Sequence, residues 1–149
     1  MTDLVSPAPV QASPAASGGP TVVVVDADDR TRESLVRLLG VHDRCRVVGS
    51  AGRPAEALTV IRREQPDVVV VDPRLPDLAQ GLAFIRRVRA VSAGGRILGM
   101  ASTPGLEPDV RAAGADGFLR KTFRPQELAE AVARCARSVP PEAERSPGR

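Results

Sequence analysis

Five short apolar runs, separated by stretches of mixed polarity, set the pattern of the chain. Residues 21–26 (TVVVVD) and 67–72 (DVVVVD) are continuous β-branched runs, the signature of strands buried on both faces. Residues 96–101 (RILGMA) and 117–120 (GFLR) are further strands, and residues 45–49 (CRVVG) form a weaker one. Between them the apolar positions recur at helical spacing. Leu35, Leu38 and Leu39 make a stripe behind a cap at Asp28 or Asp29 and ahead of Gly40. Pro54 opens a helix to Gln65 that carries Leu58 and Ile61 on one face. Leu82, Ile85 and Val88 mark a third helix. A short fourth runs from Glu107 to Ala113 before Gly114, and Pro125 to Arg137 closes the set with Leu128 and Val132 inside.

Strand and helix therefore alternate five times. Apolar strands separated by amphipathic helices predict an α/β fold, a parallel sheet covered on both faces. Right-handed crossovers favour a doubly wound five-stranded sheet of order 2-1-3-4-5, the flavodoxin-like arrangement. Such sheets bind ligands beyond the carboxyl ends of the strands, at the switch point between strands 1 and 3. Asp26, Asp72 and Lys121 end or follow three of the strands, so this topology brings them to one crevice.

The flanks differ in composition. Residues 1–20 hold four Pro, two Gly and no Lys or Arg, and residues 138–149 (SVPPEAERSPGR) are similarly poor in large apolar groups. Neither buries enough apolar surface to offset its ordering entropy, so both are expected to be disordered arms around a domain at residues 21–137.

Composition excludes several classes of function. The chain is 42% hydrophobic and 26% charged, which is globular, and no apolar run is long enough to span a membrane. Cys45 and Cys135 do not make a disulfide framework; they read as small buried apolar groups, and a cytoplasmic location is the expectation. The lone His42 reads as a solvated turn residue and gives no metal cluster or Ser-His-Asp triad. Twenty of the 21 basic residues are Arg, scattered or paired, with a net charge of only +3; no direct nucleic-acid contact is expected. No Gly-rich phosphate loop follows the first strand, so a dinucleotide enzyme is unsupported, and no enzymatic activity is expected.

The exception among the basic residues is Lys121. Two carboxylates that meet favour a hard cation such as Mg²⁺, and a carboxylate can itself attack a phosphoryl group to form an aspartyl phosphate. A lysine beside them neutralises charge on the transferring oxygens. The plainer alternative is that Asp26 and Asp72 only end strands and cap loops.

At these residues the chain resembles the receiver domains of response regulators. VVVVDADDRTRESLVRLL (22–39), PDVVVVDPRLPD (66–77) and GADGFLRKTF (114–123) look like the first strand and helix, the third strand and its loop, and the fifth strand with its lysine loop. The resemblance covers nearly all of residues 21–137. It implies a phosphoacceptor at Asp72, a Mg²⁺ site made by Asp26, Asp72 and the main-chain oxygen of Arg74, a phosphate-contacting Lys121, and a signal-reporting aromatic at Phe118, which core packing explains equally well. It also implies a switch hydroxyl after strand 4: strand alignment puts that position on Ala101, so Ser102 is the candidate, with Thr103 next to it.

Other departures accompany that one. Ala27 stands where the family has a second, metal-ligating acid, for which Asp28 or Asp29 is the available substitute. The loop after Asp72 has one extra residue before Gly81, the fourth helix is about three residues short, and Thr122 replaces the family's usual Pro. The function expected is a single-domain response regulator that takes a phosphoryl group on Asp72 from a histidine kinase or phosphotransfer protein. The chain ends twelve residues past its last helix, so output is expected through a downstream protein target or a homodimer. The alternative is an interaction module that works without phosphorylation.

Overall fold

A computed structural model describes residues 19–41, 44–121 and 124–138. Its elements are β1 (Thr21–Val25), α1 (Asp29–Val41), β2 (Arg46–Ala51), α2 (Pro54–Glu64), β3 (Val68–Val71), α3 (Leu78–Val91), β4 (Arg96–Ala101), α4 (Glu107–Ala113), β5 (Gly117–Arg120) and α5 (Pro125–Ala136). The strands form one parallel sheet in the order β2-β1-β3-β4-β5. The doubly wound α/β architecture anticipated from the alternation is thus the one adopted. The second strand lies slightly later than expected, and α1 continues through Gly40 to Val41.

The runs of valine explain the two-sided core. Successive side chains of a strand point to opposite faces. Val23, Val25, Val69 and Val71 pack with α2, α3 and α4 residues such as Ile61, Phe84, Ile85 and Val110. Val22, Val24, Val68 and Val70 pack on the other face with Leu35 and Leu39 of α1 and Leu128 and Val132 of α5. Each fully buried valine contributes roughly 1.5–3 kcal/mol relative to exposure. The two faces hold β1 and β3, the central strands that lead into the crevice. Cys45 and Cys135 are buried and free.

Residues 1–18 and 139–149 of the expected arms, together with His42 and Thr122, lie outside the described residues. Pro20, expected in the first arm, already joins the sheet edge through Arg46 N–H donating to its carbonyl at 2.9 Å. Ser138, expected to begin the tail, accepts from Arg96 Nε at 2.7 Å. No helix among the described residues is long and apolar enough to cross a membrane.

Candidate functional site

Three residues just past the sheet are held by an extension of its ladder. Asp26 N–H donates to Ala51 O at 3.2 Å, Asp72 N–H to Val25 O at 3.0 Å and Lys121 N–H to Ala101 O at 3.0 Å. The main chain at each position is thereby fixed to the strands. Their side chains meet: Lys121 Nζ lies 2.7 Å from Asp26 Oδ2 and 2.6 Å from Asp72 Oδ2. The remaining carboxylate oxygens accept from backbone amides two residues on, Asp28 N–H at 2.9 Å and Arg74 N–H at 2.9 Å. Each aspartate thus closes its own turn with one oxygen and shares the lysine with the other.

The Asp26 side chain is 4% exposed, and those of Asp72 and Lys121 are each 13% exposed. Burial alone would push the Lys121 ammonium down, but the hydrogen bonds to Asp26 and Asp72 and their charges outweigh it and hold it above its ordinary range. Two carboxylates and one ammonium leave the crevice one negative charge in excess, a place suited to a further cation.

The donor set fits a sparsely held divalent ion. Mg²⁺ commonly takes one or two carboxylates and keeps several waters, and Asp26 and Asp72, with the Arg74 carbonyl beside them in sequence, are the groups that would hold it. Ala27 is exposed and adds no donor. Both neighbouring acids are engaged at the start of α1. Asp28 caps α1, accepting from Arg30 N–H at 3.3 Å and Thr31 Oγ1 at 2.8 Å; the Thr31 bond foremost, against an opposing desolvation, holds its carboxyl below the usual range. Asp29 pairs with Arg32 at 2.7 Å. Among the described residues no group of three or more His, Cys, Asp or Glu side chains is assembled.

The other candidates are placed as follows. Ala101 is buried at the end of β4, and Ser102 is exposed. Ser102 lines a cleft of about 350 Å³ with Lys121, Arg30, Thr31, Ser34 and Leu35, which opens between α1 and the end of the sheet. Thr103 instead accepts a hydrogen bond from Arg74 Nη2 at 3.2 Å. Phe118 is half-buried against the core face that carries Val110.

Two features of the surroundings were not read from the sequence. Arg32 Nη1 donates to the Asp26 carbonyl at 2.8 Å, fastening the turn after β1 to α1. It lies across Gly52, where an added Cβ would come within 2.4 Å of that nitrogen. The only signal was the Asp29-to-Arg32 spacing on a helix. Gly81 likewise admits the Pro73 carbonyl: a Cβ there would fall 1.4 Å from the oxygen. That approach seats the loop after Asp72 on the start of α3, whose N-terminus Asp77 caps by accepting from Gln80 N–H at 2.9 Å.

A model of the response regulator receiver domain matches residues 22–133. DevR/DosR, a DNA-binding transcriptional activator of Mycobacterium tuberculosis, is 38% identical over 113 residues, covering 74% of this chain and 52% of that protein. The probable transcriptional regulatory protein NarL of the same species is 34% identical over 118 residues, covering 78% of this chain and 54% of its own length. The chain spans about half the length of these relatives. Among solved structures, the signal receiver domain of the putative response regulator NarL from M. tuberculosis superposes with a TM-score of 0.73 at 33% identity, covering 81% of this chain and 98% of that one. The chemotaxis response regulator CheY4 of Vibrio cholerae gives 0.68 at 25% identity, covering 78% and 98%. With the sheet order, the crevice at its carboxyl edge and these matches in agreement, the chain belongs to the response regulator receiver domain family.

Proposed function

We propose that this receiver domain accepts a phosphoryl group on Asp72 from a phosphohistidine of a partner kinase or phosphotransfer protein, and signals by protein–protein contact. The observation that carries the reading is the single ammonium of Lys121 hydrogen-bonded to both Asp26 and Asp72. In the transfer, a carboxylate oxygen of Asp72 forms the new O–P bond as the P–N bond of the donor breaks. The departing imidazole keeps the electron pair and takes up a proton. Lys121 already lies on Asp72 and neutralises charge gathering on the phosphoryl oxygens. A bound Mg²⁺ would add positive charge at the same oxygens. Asp26 positions Lys121, and the Arg74 amide fixes the orientation of the Asp72 carboxylate. The cleft that contains Ser102 and Lys121 gives the donor a route past α1. A downstream protein, or a second copy of the chain, reads the result.

The test is to incubate the protein with Mg²⁺ and phosphoramidate and read its intact mass. Gain of one phosphoryl group, absent in Asp72→Ala, supports the reading; no gain, or an equal gain in Asp72→Ala, overturns it.

A second reading, a receiver that docks partners without being phosphorylated, is favoured by one observation: Ala27 leaves the crevice without its third carboxylate, and Asp28 and Asp29 are occupied elsewhere. Calorimetry separates the two. Mg²⁺ binding in the millimolar range that disappears in Asp26→Ala favours phosphoryl transfer; heat indistinguishable from dilution favours the docking module.

A further inference from the structure

Arg74 touches both sides of the crevice mouth. Its backbone N–H donates to Asp72 Oδ1 at 2.9 Å, and its guanidinium donates to Thr103 Oγ1 at 3.2 Å. The first bond ties it to the phosphoacceptor position, and the second ties it to the loop that leads from β4 into α4. The two loops are otherwise 29 residues apart in sequence. At the end of β4 the buried side chain is Ala101, which has no hydroxyl with which to report on a neighbouring phosphoryl group.

The segment beyond Thr103 is built to respond. Helix α4 has only seven residues, and its N-cap residue, Leu106, makes no side-chain capping bond. A helix so short depends on tertiary contacts rather than on its own propensity. Its anchor is Val110, fully buried over Gly99, where an added Cβ would come within 2.5 Å of Val110 Cγ1. The loop that precedes α4, residues 102–105, is exposed. The Arg74–Thr103 bond restrains this loop from the opposite side of the crevice.

From this arrangement we infer that Arg74 is the positioning residue that couples the state of Asp72 to α4: its guanidinium rests on Thr103 in the unmodified protein and moves to the phosphoryl oxygens when Asp72 is modified, releasing the β4–α4 loop. The inference rests on the phosphoryl-acceptor reading above. Chemistry favours the exchange. A guanidinium that meets one neutral hydroxyl gains an anionic acceptor with the geometry for two parallel bonds, so charge attraction and a second hydrogen bond both favour the new position. The side chain starts beside the acceptor, because the residue that carries the guanidinium bonds Asp72 through its own amide. The trigger is a change of charge at one side chain, and the responding element is a marginal helix.

The experiment is amide hydrogen exchange by mass spectrometry over residues 102–113, before and after treatment with phosphoramidate and Mg²⁺, with intact mass recorded on each sample. In the wild type the modified form should exchange about two- to ten-fold faster in this segment, the range that one net hydrogen bond converts to. Thr103→Ala should show the faster exchange already when unmodified, with no further increase on modification. Thr103→Ser, which keeps the acceptor oxygen, should restore the wild-type response. Arg74→Gln should lose the difference between the two forms. A phosphoryl adduct without a change in exchange at 102–113 overturns the coupling alone. Wild-type exchange in unmodified Thr103→Ala overturns it as well. Absence of any adduct on the wild type overturns the phosphoryl-acceptor reading and, with it, the trigger of the coupling.

Discussion

Asp26 and Asp72 are held by the same pair of devices: one oxygen of each accepts from the amide two residues downstream, and the other accepts from Lys121 Nζ. The arrangement orients two like charges toward one point and compensates only one of them. It follows from the topology, because β1 and β3 are adjacent and parallel and their carboxyl ends open on the same side. The response of the crevice to added or removed charge is therefore predictable.

Restoring the third carboxylate should strengthen metal binding. Ala27→Asp adds an anionic ligand at an exposed position next to Asp26, and calorimetry should show Mg²⁺ affinity rising by about tenfold or more over the wild type. The same substitution adds like charge to the crevice, so the metal-free protein should be slightly less stable and should gain more from Mg²⁺ than the wild type does. Thermal unfolding with and without Mg²⁺ checks both signs. Equal affinities in the two proteins would show that position 27 does not face the ion.

The close approaches at glycine differ in what they meet, and stability should follow that difference. At Gly81 an added Cβ meets the Pro73 carbonyl, which is backbone and cannot swing aside. Gly81→Ala should cost roughly 2–4 kcal/mol in urea unfolding and displace the loop that carries Arg74. At Gly52 the atom met is the end of the Arg32 guanidinium, which can move. Gly52→Ala should cost less than about 1 kcal/mol, chiefly the hydrogen bond from Arg32 to the Asp26 carbonyl.

These cases also mark what the sequence made legible. The sheet order and the meeting of Asp26, Asp72 and Lys121 follow from strands whose alternate valines are buried on both faces, a pattern that one chain displays by itself. The capping of α1 was legible only as a choice between Asp28 and Asp29; helix geometry then assigns the cap to Asp28 and turns Asp29 toward Arg32. The paths of Arg32 and Arg74 were not legible. A long arginine side chain has several rotatable bonds, and its partner is decided by loops distant in sequence, such as Thr103. Gly52 and Gly81 carried a trace of those loops, but a lone glycine does not name what approaches it.

Alkaline pH should destabilise the domain through very few groups. The chain has no tyrosine and a single lysine, so its cysteines and Lys121 dominate titration in that range. Burial, then the nearby Asp116 charge, pushes the Cys135 thiol from its ordinary 9.0 up to about 12. Between these values the unfolded chain has lost the proton that the folded chain keeps, so stability falls by about 1.4 kcal/mol per pH unit from pH 9 toward pH 12. Cys45, also raised by burial, adds in the same direction. Lys121 is raised as well; its contribution is complete below its ordinary 10.5 and is lost as pH rises through its higher folded value. Urea unfolding between pH 8 and pH 11 should show the decline beginning near pH 9. Cys135→Ala should flatten that first part, whereas Lys121→Met should alter only the part above about pH 10.5. An unchanged slope in Cys135→Ala would mean that the thiol ionises as freely in the folded protein as in the unfolded chain.

Arg89 and Asp116 provide the strongest test of an ion pair as a structural element. Asp116 accepts from Arg89 Nη2 and from the Ile97 amide, the latter at 2.8 Å, and its side chain is only 3% exposed. Arg89 also donates to the Gly95 carbonyl at 2.7 Å and the Gly114 carbonyl at 2.9 Å, so this one guanidinium joins α3 to the turns before β4 and after α4. Asp116→Ala removes the counter-charge and leaves a largely buried guanidinium and a strand amide without their partner, for an expected cost of about 3–5 kcal/mol. Replacing both residues, Arg89→Met with Asp116→Ala, removes the stranded charge and should cost less than Asp116→Ala alone. A double-mutant cycle in urea measures the difference. Because the pair lies at the amino end of β4, opposite the crevice, none of these changes should reduce the share of Asp72 modified by phosphoramidate, provided the variant is folded at the temperature of the assay.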